Sequence, residues 1–144
     1  MRFLPHVTVA TIVEDGGRFL MVEEYRDNRI VLNQPAGHLE ADESLIEAAG
    51  REVLEETAWN VEILGLVGLY LFKADNGTTY QRSCFHGRPV SVEPSRALDE
   101  GILRAIWMSL EEIEARRADL RSPLVLNCIR DFLNKPLYPL DLIR

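Results

Sequence analysis

A chain of 144 residues is the size of one domain and long enough to bury a real core. Its 47% hydrophobic and 27% charged residues are those of an ordinary globular protein, and no run approaches the ~20 apolar residues of a membrane helix. The net charge of −7, from 23 acidic and 16 basic residues, argues against a general nucleic-acid surface, which needs clustered positive charge. An acidic protein that handles phosphates needs a cation as intermediary.

Residues 7–13 are β-branched and predict a strand. They follow Pro5 and His6 without the basic flank, length or cleavage site of a signal peptide, so cytoplasmic residence is expected. Asp15-Gly16-Gly17 signals a hairpin turn, and residues 19–24 return as the partner strand. A short apolar segment at 29–32 ends in the turn residues Asn33-Gln34-Pro35-Ala36-Gly37. From 44 to 57 the periodicity becomes helical, with Leu45, Ala48, Ala49 and Val53 on one apolar face. Asp42 is the expected N-cap, and Glu43 and Glu47 put negative charge where the helix dipole favours it. Strand-like runs follow at 61–72 and 79–86 around the turn Asp75-Asn76-Gly77, with another strand at 102–108.

Ser109 and Glu112 make a capping box for a helix over 110–116. Ser122-Pro123 supplies an N-cap and a proline at the first helical position, for a helix running to about residue 133. The tail at 135–144 holds Pro136 and Pro139 and is expected to be irregular. Strands before, between and after separate helices indicate an α/β fold, a mixed sheet with helices on its faces, in a single domain over 1–144. Cys84 and Cys128 stand among apolar residues in no metal-ligand spacing and read as buried reduced thiols.

The helix at 44–57 carries the chemistry. Glu52 and Glu56 are four residues apart and Glu55 is three from Glu52, so three carboxylates crowd one polar side. Without a counterion they repel; with Mg²⁺ or Mn²⁺, which take hard oxygen ligands, the repulsion becomes binding. Arg51 stands four residues before Glu55 and can orient a carboxylate, there or on another glutamate. Gly37 allows a sharp loop whose backbone approaches a metal or phosphate.

An isolated Glu- and Arg-rich helix face is usually a solvated surface. The spacing overrides that reading: Gly37, five residues, Glu43, seven residues, Arg51-Glu52-Val53, one residue, Glu55-Glu56. A chance match at the six Gly, Arg and Glu positions from one start is roughly 1 in 10 million from average composition, and Val53 is a seventh, aliphatic position. The sequence thus resembles the Nudix hydrolases over residues 37–59. The resemblance implies a Nudix-type α/β/α sandwich with a mixed β-sheet, and an Mg²⁺-dependent (Mn²⁺ as substitute) hydrolase. It assigns Glu52, Glu55 and Glu56 as metal ligands, adds the Gly37 carbonyl, and makes Arg51 and Glu43 supporting residues. One position departs: the family's glycine near the helix end is Ala58. Because a left-handed alanine costs roughly 1–2 kcal/mol, a longer helix capped at Asn60 is expected, with catalysis retained.

Beyond this box, PHVTVA at 5–10, NQPAGHLEADESL at 33–45, RSPLV at 121–125 and YPLDLI at 138–143 resemble the NudJ-type phosphatase branch. That branch implies nucleoside tri- and diphosphates, and a hydroxymethylpyrimidine pyrophosphate precursor of thiamine, as small-molecule substrates. Residues 71–97 match least, where base recognition can differ.

For the general base the candidates are Glu52 and Glu100, the latter just before the strand at 102–108 and otherwise a surface charge. His38 either faces the phosphates or is solvated; Gln34 either donates to substrate or stabilises its own turn. Arg26, Lys73 and Arg82 are phosphate clamps or surface charges. Tyr25, Phe72 and Tyr80 either stack on a base or belong to the core, and Trp107 reads as core. His6 and His86 are expected to satisfy sheet-edge hydrogen bonds, and Tyr138 is a candidate to close over the pocket.

Three rivals remain: a pyrophosphatase for ADP-ribose or dinucleoside polyphosphates, a non-catalytic nucleotide sensor, and a structural or protein-interaction domain. The intact glutamates speak against the last two. Asp75-Asn76-Gly77, with neither the proline nor the tyrosine marker of the pyrophosphatases, weakens the first. The chain is expected to be a monomer or homodimer.

Overall fold

The computed structural model describes residues 1–144. Seven strands appear in chain order, β1 (His6–Asp15), β2 (Arg18–Arg26), β3 (Arg29–Asn33), β4 (Ala36–His38), β5 (Trp59–Lys73), β6 (Thr79–Val92) and β7 (Ile102–Ser109). Helix α1 (Leu45–Thr57) lies between β4 and β5, and α2 (Leu110–Ala115) and α3 (Leu124–Asn134) follow β7. The strands form a mixed sheet whose path runs β3-β2-β1-β6-β5, with β4 paired to β1 and β7 to β2.

Strand β1 is the organiser. His6 to Val13 pair in parallel with β6, and Thr8 to Ala10 pair antiparallel with β4 on the other edge. Its last two residues, Glu14 and Asp15, continue into β2 through the predicted Gly16-Gly17 turn, where both glycines take positive φ. Because side chains alternate along a strand, β1 feeds both faces. Ala10 and Ile12 join Met21, Val67, Cys84, Val125, Cys128 and Ile129 on the α2–α3 side. Val9 joins Ala48, Ala49, Leu66 and Phe85 on the α1 side, and Val13 packs there with Leu20 and Val53. Helices on both faces of a mixed sheet are the expected sandwich. Cys84 and Cys128 are free and buried, as read from their apolar neighbours. No helix is long and apolar enough to cross a membrane.

Several local expectations are corrected. The N-cap of α1 is Ser44, not Asp42: the Ser44 hydroxyl accepts the Glu47 N–H and the Glu47 carboxylate accepts the Ser44 N–H. Asp42 instead takes a left-handed turn conformation. The turn expected through Gly37 contains the three-residue strand β4, because Pro35 and Ala36 lead straight into pairing with β1.

Helix α1 does not extend to Asn60; it stops at Thr57, and Ala58 itself adopts φ 65°, ψ 10°. Four hydrogen bonds over-determine that strained conformation. The Ala58 N–H donates to Leu54 O, and its carbonyl accepts the Glu93 N–H at 2.8 Å. The Thr57 hydroxyl donates to Val53 O and accepts the Trp59 N–H, launching β5 directly. At α3 the N-cap is Pro123 rather than Ser122, and Leu124 is the first helical residue; the Ser122 hydroxyl accepts the Leu124 N–H one residue before the expected capping position. The tail is not wholly irregular: a 3₁₀ turn forms at Leu140–Leu142, and the Leu66 and Tyr138 backbones exchange two hydrogen bonds.

Candidate active site

Arg51 projects from α1 into the loop that enters the helix and gathers its carboxylates. Its Nε and Nη2 grip both oxygens of Glu43, at 2.9 and 2.7 Å, in the two-pronged geometry a guanidinium favours. Its Nη1 donates to Glu52 at 2.8 Å and to Glu55 at 3.1 Å, and its Nη2 also reaches the His38 carbonyl at 3.1 Å. Glu43, rather than Glu55 alone, is therefore its principal partner. The grip holds the Glu43 carboxyl down at about 2 and stabilises the guanidinium in return.

Glu52 and Glu56 lie deeper. Burial pushes the Glu52 carboxyl up, against the opposing pull of Arg51. Burial also pushes Glu56 up to about 8, opposed by the Ala36 N–H donating at 2.8 Å and reinforced by Glu52, Glu24 and Asp99. Gly37 explains itself through Glu52. Its φ is not the left-handed one a sharp loop would require; it sits in β4, and a methyl group there would overlap all three terminal atoms of the Glu52 carboxylate. Glycine is needed for close approach.

The other predicted residues fall into three groups. Arg26, His38, Lys73, Phe72, Tyr80 and Arg82 line one cleft of about 590 Å³, between the β5–β6 hairpin and the start of α3, which also includes Ala36 and Gly37. Within it Arg26 pairs with Glu24 at 3.3 Å, and burial, with help from His6 and Arg26, lowers the His38 pKa. Gln34 lies outside the cleft lining, only 2% exposed, with Nε2 on the Val125 carbonyl and Oε1 on Arg82. Glu100 is exposed in the turn before β7. It is the neighbouring Asp99 whose N–H donates to the Glu55 carbonyl and whose charge bears on Glu52 and Glu56.

Sequence reasoning thus missed Asp99 and Glu24, since a carboxylate brought in from a distant strand or turn leaves no spacing signal. Tyr25 and Tyr138 are exposed and neither joins the cleft. Trp107 is half-buried, edge-on to Trp59 at 5.6 Å. The histidines do not serve the sheet edge: His6 Nδ1 meets His38 Nε2 at 3.2 Å, while buried His86 Nδ1 has no partner and its ring packs on Phe132.

No three of these carboxylates converge into a preformed cation cage. Arg51 and the Ala36 N–H engage one oxygen each of Glu52, Glu55 and Glu56. The donor set nevertheless fits a hard divalent cation: all-oxygen, in excess over the single guanidinium, and with two members raised by burial. A cation would offset the burial that raises those two carboxyls.

Comparison with known proteins places this geometry. A family profile described as NUDIX domain matches residues 3–127. The chain is 41% identical over 141 residues to Phosphatase NudJ of Escherichia coli (strain K12), covering 98% of this chain and 92% of that protein. The fold superposes with a TM-score of 0.96 on a NUDIX hydrolase from Nitrosomonas europaea, 49% identical and covering 98% and 97% of the two chains. An ADP-ribose pyrophosphatase from Streptococcus suis shares the fold alone, with a TM-score of 0.71 at 17% identity, covering 94% and 96%.

Proposed function

Because the chain belongs to the NUDIX family and is a Nudix hydrolase, we propose that it cleaves phosphoanhydride bonds of nucleoside tri- and diphosphates with Mg²⁺, or Mn²⁺ in its place. A hydroxymethylpyrimidine pyrophosphate is the further substrate, by likeness to the NudJ phosphatases. One observation carries the reading: Arg51 and the Ala36 N–H hold Glu52, Glu55 and Glu56 beside Gly37, which lines a cleft that carries Arg26, Lys73, Arg82 and Arg121. When bound, the cation lowers the pKa of a water and neutralises phosphate charge.

The chain's own residues supply the rest. Arg51 and Glu43 position Glu52 and Glu55, and the Ala36 N–H positions Glu56. The Gly37 carbonyl is the further oxygen ligand in this reading. Glu52 is the leading acceptor for the proton of the attacking water, since burial raises the proton affinity of its carboxylate. Glu100 remains the candidate from the opposite loop, with Asp99 better placed beside it. In the cleft, Arg26, His38 and Arg82 face the substrate, while Gln34 acts through Arg82. The same reading expects a cytoplasmic monomer or homodimer acting on small molecules.

Incubation with GTP, GDP, the hydroxymethylpyrimidine pyrophosphate, ADP-ribose and a dinucleoside polyphosphate, with and without Mg²⁺, tests the proposal. Mg²⁺-dependent orthophosphate from the first three supports it. Nucleotide release from the last two alone replaces the substrate class, and no hydrolysis at all favours a sensing module.

A further inference from the structure

Arg82 is the one buried arginine of the fold, at 6% exposure, and it forms no ion pair. Its acceptors are two side-chain amide oxygens and the Cys128 sulfur, a thiol that Cys84 and Arg82 hold down at about 7. Its Nη1 donates to Gln34 Oε1 at 3.1 Å and lies 3.8 Å from the Cys128 sulfur, and its Nη2 reaches Asn33 Oδ1 at 3.5 Å. The more exposed arginines are treated differently: Arg51 holds four glutamates, and Arg116 holds Glu23 and Asp119. A buried cation without a carboxylate partner is costly, and truncated ion pairs show how strongly such a charge seeks a full anion.

The surroundings offer that charge no carboxylate and hold it in place. The Gln34 Nε2 donates to the Val125 carbonyl at 2.6 Å, so its amide has only one orientation and must turn Oε1 to Arg82. Arg82 and Asn33 line the cleft together with the β4 residues that adjoin the carboxylate cluster, and Arg26, Lys73 and Arg121 stand there beside Glu24, Asp27 and Asp75. A neutral carbonyl on a base would leave the guanidinium unbalanced; a phosphoryl group would complete it, with two parallel hydrogen bonds.

We propose that Arg82 is the docking charge for a substrate phosphoryl group lying outside the carboxylate cluster, and that Gln34 and Asn33 are positioning residues that hold it without neutralising it. The inference rests on the phosphohydrolase reading for its substrate, but its test does not depend on turnover. Asn33→Asp places a carboxylate at the acceptor position without changing size, giving Arg82 an internal partner.

Calorimetric titration in EDTA, with inorganic pyrophosphate and separately with guanosine, is compared for wild type, Asn33→Asp and Arg82→Met. The expected result is at least a tenfold loss of pyrophosphate affinity in both variants, unchanged guanosine affinity, and a melting temperature of Asn33→Asp no lower than that of wild type. With Mg²⁺ and GDP, Asn33→Asp raises KM at least tenfold and changes kcat less than threefold. Unchanged pyrophosphate affinity in Asn33→Asp, a loss confined to guanosine, or no pyrophosphate binding by wild type overturns the proposal. Should Arg82→Met fail to fold, Asn33→Asp decides. A wild type that binds pyrophosphate but hydrolyses nothing sinks the phosphohydrolase reading and leaves the Arg82 assignment standing.

Discussion

Gly37→Ala isolates the geometry of the carboxylate cluster from its chemistry, because it removes no charge and no ligand. Gly37 has an unstrained backbone in β4, so alanine there incurs no conformational penalty. The added methyl overlaps Oε1, Oε2 and Cδ of Glu52, closer than real Cβ contacts allow. Something must move, and the strand cannot: Gly37 is in register with Val9, fully buried in β1. The Glu52 carboxylate must therefore shift, by about 1 Å, away from its 2.8 Å contact with Arg51. A misplacement of about 1 Å at a reacting centre costs on the order of 10²-fold in rate. The stability cost is that of distorting one largely buried charged hydrogen bond, on the order of 1–3 kcal/mol, or several degrees in Tm. Steady-state hydrolysis of GTP with Mg²⁺, alongside thermal denaturation, measures both. A Gly37→Ala enzyme with kcat within threefold of wild type would refute the reasoning, as would one that is simply unfolded.

Three further outcomes follow from the same geometry. Ala58→Gly relieves about 1–2 kcal/mol of left-handed strain but loses a buried methyl worth about 0.8 kcal/mol and about 0.4–1 kcal/mol of unfolded-state entropy. Its net effect in denaturant titration is therefore within about 1 kcal/mol, and a change above about 2 kcal/mol would show that the C-cap is not the controlling contact. In EDTA the folded protein binds the Glu56 proton more tightly than the unfolded chain, whose carboxyl titrates near 4.5, so stability falls as pH rises from about 4.5 to about 8. Glu56→Gln should flatten that decline, worth on the order of a few kcal/mol, and an equal slope in the variant would contradict the burial argument. Asp99→Asn should lower turnover at least tenfold and Glu100→Gln less than threefold; the reverse ranking would restore Glu100 as the loop base.

What could be read from the sequence was whatever is written in local spacing. The Gly16-Gly17 hairpin, the Ser109 capping box and the apolar face of α1 each depend on residues a few positions apart, the Gly37–Glu56 pattern on fixed spacing within one loop and helix, and each appears in the fold. Ser44 also had a local signal, with Glu47 three residues on, but Asp42 drew the assignment away from it. Ala58 was misjudged because propensity favours a helix that runs on, whereas Glu93 and Trp59, brought in by the sheet, fix the chain earlier. The Arg82–Gln34–Asn33 cluster could not be derived at all. It joins residues 48 and 49 positions apart across β6 and the end of β3, and depends on an α3 carbonyl to orient the amide. Asp99 and Glu24 entered the neighbourhood of Glu56 the same way, through topology.

The most direct test of the central claim is the initial rate of GTP hydrolysis against Mg²⁺ concentration for wild type and Glu56→Gln side by side. The account predicts saturable Mg²⁺ dependence in wild type, abolition by EDTA, and a rate lower by orders of magnitude in a folded Glu56→Gln protein. Hydrolysis that persists in EDTA, or a Glu56→Gln enzyme that matches wild type, would contradict it.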